Sequence, residues 1–165
     1  MDDRTILDAP QRAETSEYAG FWLRFAAIFI DGIIFAIPMY ALQYLMLGSL
    51  FLDGQELAAR MEGGDEIFFF GRFGAYYAIT MVVHWLYFAL QESSPQQATL
   101  GKRAVNIKVA DYNGDRISFA KATGRYFGKI ISTLILYIGF IMAAFTERKQ
   151  ALHDIMASTL VVKSR

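Results

Sequence analysis

Two charged residues, Arg24 and Asp31, stand inside the first long apolar stretch of this chain. Seven residues make nearly two helical turns, so in a helix they share a face about 10 Å apart along the axis. That is too far for a good direct pair. Arg24 suits the inner membrane–water interface, with its guanidinium among headgroups or against an acid. Asp31 would lie about 15 Å into a span that begins near Phe21. A carboxylate at that depth is expensive unless it meets a partner, water or a proton. It reads either as an ion- or proton-binding carboxylate or as a structural partner to a helix or an N–H group. Candidate partners are His84 in the second apolar stretch and Arg125 or Lys129 in the third. His84 titrates near neutral pH and would serve as a proton relay; the alternative is a buried, hydrogen-bonded packing histidine.

Other constellations fail on inspection. Adjacent His153 and Asp154 resemble the pair in metal-dependent hydrolases, but that chemistry needs more ligands than a chain with two histidines supplies. Gly101-Lys102 resembles a phosphate loop. The glycine required five positions earlier is Gln96, and Arg103 stands where Ser or Thr would hold magnesium. No Ser–His–Asp order or dinucleotide fingerprint is present. The reading is therefore no enzyme, no metal and no cofactor.

The surroundings of these residues set the class. Of 165 residues 55% are apolar and 19% charged, and mean hydropathy is +0.28. Soluble domains run about 45–50% apolar and about 25% charged. The apolar excess is gathered in blocks, which argues against disorder and low complexity. Sixteen basic residues balance 16 acidic ones, which argues against nucleic-acid binding. The chain has no cysteine, so disulfides, thiolate metal sites and a catalytic cysteine are out.

Residues 1–20 are polar and slightly acidic and lack the basic start and apolar core of a signal peptide. The first apolar block, Phe21 to Leu52, is long enough to cross a bilayer, with Pro38 inside it as an expected kink. Asp53 to Asp65 reads as a loop. The second block, Glu66 to Gln91, is rich in aromatics at both ends, as interfaces favour. Ala104 to Ala110 alternates like a strand, and Asn113-Gly114 is a hairpin-turn dipeptide. Ile117 to Phe119 is either a return strand or a helix lead-in capped by Ser118. A helical pattern then runs to about Phe145, basic and amphipathic first and apolar from Ile130. Gly124 and Gly128 form a small-residue pair suited to close helix contact.

Positive charge sets the orientation. Ten basic residues flank the N-terminal side and loop 92–129, against Arg60 and Arg72 across the membrane. Ile130 to Phe145 gives only about 24 Å of helix against a hydrocarbon core of about 30 Å. A re-entrant hairpin bending near Gly139, or a fourth short crossing, would keep the tail inside and raise the ratio to 14 against 2. It would also let Thr159–Val162 pair with Val105–Val109. The alternative is a plain three-span protein. The expectation is an all-α polytopic membrane protein with a small cytoplasmic β element. Residues 1–17 form a cytoplasmic tail and 18–163 the transmembrane domain. Its spans are about 21–47, 67–91 and 126–145, and its cytoplasmic loop is 92–120. The basic run from Lys102 to Lys129 suits anionic lipid.

Taken in order, these residues resemble the RDD family of small membrane proteins. The opening Tyr18-Ala-Gly-Phe-Trp-Leu-Arg24 with Asp31-Gly32 is similar to the family's first motif. Thr99-Leu-Gly-Lys-Arg103, Ile107-Lys-Val109 and Asn113-Gly114 resemble its centre. Ile117-Ser-Phe119 with Arg125 resembles the start of its last helix, and Glu147-Arg-Lys-Gln150, Leu152-His-Asp154 and Thr159-Leu-Val-Val162 resemble its close. The resemblance implies that Arg24, Asp31 and Asp154 are the three named residues, with Lys102, Arg125 and His153 accessory. One departure is Ser158, where the family's closing motif carries glycine. The resemblance implies a transporter or transporter subunit in a bacterial inner membrane, multi-pass with the N-terminus cytoplasmic, with cation/proton exchange among its options. Asp31 and His84 would be the ion or proton sites. The alternative is a non-transporting scaffold or accessory module that binds partners or anionic lipid. Three or four helices are few to enclose a path, so a homo-oligomer or membrane partner is expected. Arg24 and Asp154 are expected to pair at the inner interface, with an exchange of the two restoring what either single change breaks.

Overall fold

A computed structural model describes residues 17–51, 55, 58–59, 66–135 and 138–164. The acidic tail before Glu17 and the stretch containing Arg60 lie outside the described residues. The element order is α1 (Phe21–Leu47), α2 (Glu66–Glu92), α3 (Leu100–Ala104), β1 (Ile107–Asp111), α4 (Phe119–Leu134), α5 (Ile138–Phe145), α6 (Leu152–Met156) and β2 (Thr159–Lys163). The fold is thus mostly helical with one small sheet, as expected.

Helices α1 and α2 are each 27 residues, about 40 Å at 1.5 Å per residue, which exceeds a bilayer core. Both are apolar enough to cross a membrane. α1 runs through Pro38 and stops where Gly48 takes a left-handed φ of 73°, with its N–H donating to Tyr44 O at 2.8 Å. A helix needs that conformation at its C-terminal exit, and glycine adopts it without cost. α4 starts where Ser118 accepts from the Lys121 N–H at 3.2 Å, an N-cap. This settles Ile117–Phe119 as a helix lead-in. The helical run toward Phe145 is bent, as the re-entrant alternative expects: α4 and α5 meet at 102°.

The chain divides into two compact units, residues 1–31 with 87–165 and residues 32–86. In the second unit Gln43 Nε2 donates to Leu50 O at 2.9 Å and Arg72 Nη2 to Leu45 O at 3.1 Å. The second bond satisfies a carbonyl in the last turn of α1 that has no helical donor, and the first holds the chain just beyond the helix.

The first unit holds the sheet. β1 and β2 are antiparallel, with Val109 opposite Val161 and Ile107 opposite Lys163. Residues 17–19 run along the other edge of β2: Ala19 N–H donates to Val161 O and Lys163 N–H to Glu17 O, both at 2.8 Å. The free edge of β1 is covered by Gln97, whose O accepts from the Val109 N–H at 2.8 Å and whose side chain returns a bond to Val109 O at 3.0 Å. Ile107, Val109, Leu160 and Val161 are buried. Asn113-Gly114 does not open a hairpin. It is the tip of a loop closed by Asp111, whose Oδ1 accepts from the Asn113 and Asp115 N–H groups at 2.9 Å. The strand that pairs with β1 comes from the end of the chain.

Candidate functional site

Arg24 sits one turn into α1, and Asp154 is in the first turn of α6. Arg24 Nη1 donates to Asp154 Oδ2 at 2.5 Å, its Nε to Ala19 O at 2.9 Å and its Nη2 to Lys149 O at 2.6 Å. One guanidinium therefore ties the start of α1 to the turn that leads into α6. The same Asp154 Oδ2 accepts the Ala151 N–H at 3.1 Å, serving an N–H at the start of α6 that has no helical partner. On the other oxygen, Arg125 Nη2 lies 2.7 Å from Oδ1. Burial alone would raise the Asp154 pKa, but the Arg125 and Arg24 charges outweigh it and hold the carboxyl well below its usual range.

The network continues through Glu92, at the end of α2 and 1% exposed. Arg125 Nε is 3.7 Å from Glu92 Oε2, Lys102 Nζ 2.6 Å from Oε1 and Lys129 Nζ 3.4 Å from Oε1. Lys129 also rests 4.1 Å over the Phe88 ring, a cation–π contact. Arg24, Asp154, Arg125, Glu92, Lys102 and Lys129 thus form one chain of charges, four positive and two negative, with Arg24 and Lys129 half-buried and the other four buried. Burial lowers the Lys102 pKa to about 8, partly opposed by Glu92. Burial also lowers the pKa of His153 to about 3, so its imidazole is neutral at physiological pH. Gly128 makes room for it: a β-carbon there would meet His153 Cβ at 3.0 Å. Gly124 meets nothing within 4 Å, so only one of the two expected small positions makes a close contact.

Asp31 belongs to a separate cluster in the same unit. It is 2% exposed. Tyr87 and Thr99 hydroxyls donate to it at 2.7 Å each, and the Gly101 N–H at 2.8 Å. Thr99 is itself the N-cap of α3, accepting from the Lys102 N–H at 3.3 Å. Asp31 therefore caps α3 from another element, where N–H groups are unsatisfied and a negative charge is favoured. The expected partners were His84, Arg125 and Lys129. Arg125 and Lys129 are bound into the Glu92–Asp154 network. His84 is in the second unit, 5.2 Å from the Phe35 ring centroid in an edge-to-face contact.

Tyr87, Thr99 and Glu92 join these clusters without a sequence signal of their own. Among the described residues no cluster of His, Asp and Glu has metal-site geometry.

The model of the RDD family matches residues 18–158. Three Bacillus subtilis (strain 168) proteins are similar. "Uncharacterized protein YxaI" is 41% identical over 148 positions, covering 87% of this chain and 96% of that protein. "Uncharacterized membrane protein YteJ" is 32% identical, covering 99% and 93%. "Uncharacterized protein YckC" is 27% identical, covering 87% and 83%. No solved structure matches.

Proposed function

The chain belongs to the RDD family of membrane proteins, and from that premise we propose that it is a non-transporting two-span module. It holds a rigid platform at the cytoplasmic membrane surface and binds anionic lipid through it. The observation that carries this reading is the state of Asp31, 2% exposed and held by three neutral donors. A carboxylate that carries an ion or proton must reach water or a mobile partner. Here its acceptor capacity is spent on capping a helix.

The sheet supports the two-span topology. Residues 17–19, β1 and β2 share one hydrogen-bonded ladder, so they lie on one side of the membrane. α1 leaves that side and α2 returns to it. α4 and α5 begin after β1 and end before β2, which supports a re-entrant pair that does not cross. The 102° bend between them supports this. Fourteen of the 16 basic residues then share the platform side, which the positive-inside preference makes cytoplasmic. Arg103, Arg116, Lys121 and Arg148 are exposed there, each worth about 1 kcal/mol near an anionic leaflet.

The rival reading is cation/proton exchange through Asp31. The test is cation-driven proton flux in proteoliposomes, with wild type beside Asp31→Asn. We expect no flux above empty vesicles in either. Flux in the wild type that the variant loses would overturn the proposal and make this a transporter.

A further inference from the structure

The two carboxylates of the charge network are shared unevenly. Asp154 divides its oxygens between two arginines, Arg24 on Oδ2 and Arg125 on Oδ1. Glu92 faces three cations. Arg125 Nε stands 3.7 Å from its Oε2. The other oxygen, Oε1, carries two ammonium groups, Lys102 Nζ at 2.6 Å and Lys129 Nζ at 3.4 Å. Two like charges on one oxygen, with a third cation beside them, repel one another strongly where water is scarce.

Such a site is relieved by losing a proton, and only some of its members can lose one. Arginine stays charged across the pH range in which proteins fold, so the choice lies between the two lysines. The Lys129 side chain is 20% exposed. Its ammonium also rests over the Phe88 ring at 4.1 Å, which favours the charged form. Lys102, on α3, has a side chain only 8% exposed and shares its counter-charge with the other two cations. The carboxylate of Asp31, from α1, is bonded instead to Thr99, Gly101 and Tyr87. The charges that act on Lys102 are Glu92 of α2 and Arg125 and Lys129 of α4. Burial has the largest effect and lowers its pKa to about 8; Glu92 opposes this, and the two cations add to it.

We propose that Lys102 is a proton-exchange site inside the platform, giving up a proton in alkaline medium while Lys129 and the arginines keep theirs. The proton passes from Lys102 Nζ to water, and the neutral amine retains hydrogens to donate to Glu92 Oε1. Lys129 is the member of the Glu92 group that reaches solvent. The junction of α2, α3 and α4 thereby carries a charge that depends on pH. No exposed cation of the platform takes part, so the inference stands whether or not the platform binds anionic lipid, and it calls for no path across the membrane.

The experiment is a titration by nuclear magnetic resonance of full-length protein in nanodiscs, its six lysines labelled with carbon-13 at Cε. One signal should move with a midpoint near 8, against the ordinary value of 10.5. It should be the signal missing from Lys102→Arg. Chemical denaturation of the wild type gives a second readout. Between those two values the unfolded chain holds a proton that the native chain lacks, so stability should rise with pH across that window. Lys102→Arg, which cannot release a proton there, should lose the rise. Lys129→Arg should keep the early signal, and it decides the matter if Lys102→Arg does not fold. An early signal that is absent from wild type, persists in Lys102→Arg or disappears in Lys129→Arg overturns the proposal.

Discussion

The amide nitrogen of Gly101 stands 2.8 Å from Asp31 Oδ1, and position 101 has no room for a β-carbon. One built there would collide with Ala27 O and reach Asp31 Cγ at 2.8 Å. The approach of α3 to α1 therefore requires glycine. Gly101→Ala should destabilise by about 1–3 kcal/mol or more through overpacking, read as a lower melting temperature in detergent. Gly124→Ala, with open space around its β-carbon, should be neutral or stabilising by up to about 1 kcal/mol. Equal behaviour of the two variants would refute the close approach.

In the Arg24–Asp154 pair, removing Arg24 leaves Asp154 with Arg125 as its remaining cationic partner, whereas removing Asp154 takes the shared carboxylate from both arginines, so the second loss should cost more, up to about 3–5 kcal/mol. The sequence suggests that exchanging them restores stability. The structure corrects that expectation: Arg125 Nη2 holds the second Asp154 oxygen at 2.7 Å, so an arginine at 154 would face Arg125. The exchange should recover little, and adding Arg125→Glu to it should recover more. The three melting temperatures check this ordering, and full recovery by the exchange alone would rule out Arg125 as a partner.

Acid should weaken the fold in two steps. His153 has an ordinary pKa of 6.5 and a folded value of about 3. Between those values the unfolded chain binds a proton that the native one refuses, so stability falls as pH drops from about 6.5 toward 3. Asp154, with its pKa lowered from 3.8, adds its own loss only below about that pH. His153→Leu should therefore flatten the stability profile between pH 6.5 and 4 while leaving the steeper fall below it. Chemical denaturation across that range is the measurement, and an unchanged slope would remove His153 as its source.

Ser158 has a φ of 53°, the left-handed region that costs a residue with a β-carbon about 1–2 kcal/mol. The glycine that the family pattern carries at this place meets that need. Ser158→Gly should raise stability by about 1 kcal/mol, less the extra chain entropy of glycine. A lower melting temperature for this variant would count against the turn geometry.

The absence of native cysteine makes single-cysteine labelling clean. Asn113→Cys and Ser164→Cys should react with a membrane-impermeant maleimide from the same side of sealed vesicles, and Ser49→Cys from the other. Labelling of Ser164→Cys together with Ser49→Cys would instead favour a third full crossing.

Some of this was legible in the residues and some was not. The two long helices announce themselves by length and hydropathy. Arg24 and Asp154 follow from an ordered set of motifs. Asp31 was visible as a costly carboxylate, but its partners were not. Thr99 and Gly101 come from a segment about 70 residues on, and local periodicity carries no information at that separation. Glu92 looked like the polar start of a loop, because an acid at the end of an apolar block is ordinary. The bend after Leu134 was legible in part, because Gly139 lies just beyond it and a β-carbon there would meet Ser132 Oγ at 2.6 Å. The shortness of the apolar run for a span and the glycine within it hinted at a turn, but periodicity did not mark its exact place.

β2 lies between residues 17–19 on one side and β1 on the other. Of these three segments the central one is the last to leave the ribosome. The first and the second have no direct pairing with each other to fall back on until it arrives. Closure of the platform is therefore a late event in synthesis, coming after both long helices have been made. A chain cut before Thr159 would keep every apolar helix needed for insertion and still lack the piece that joins its beginning to its middle.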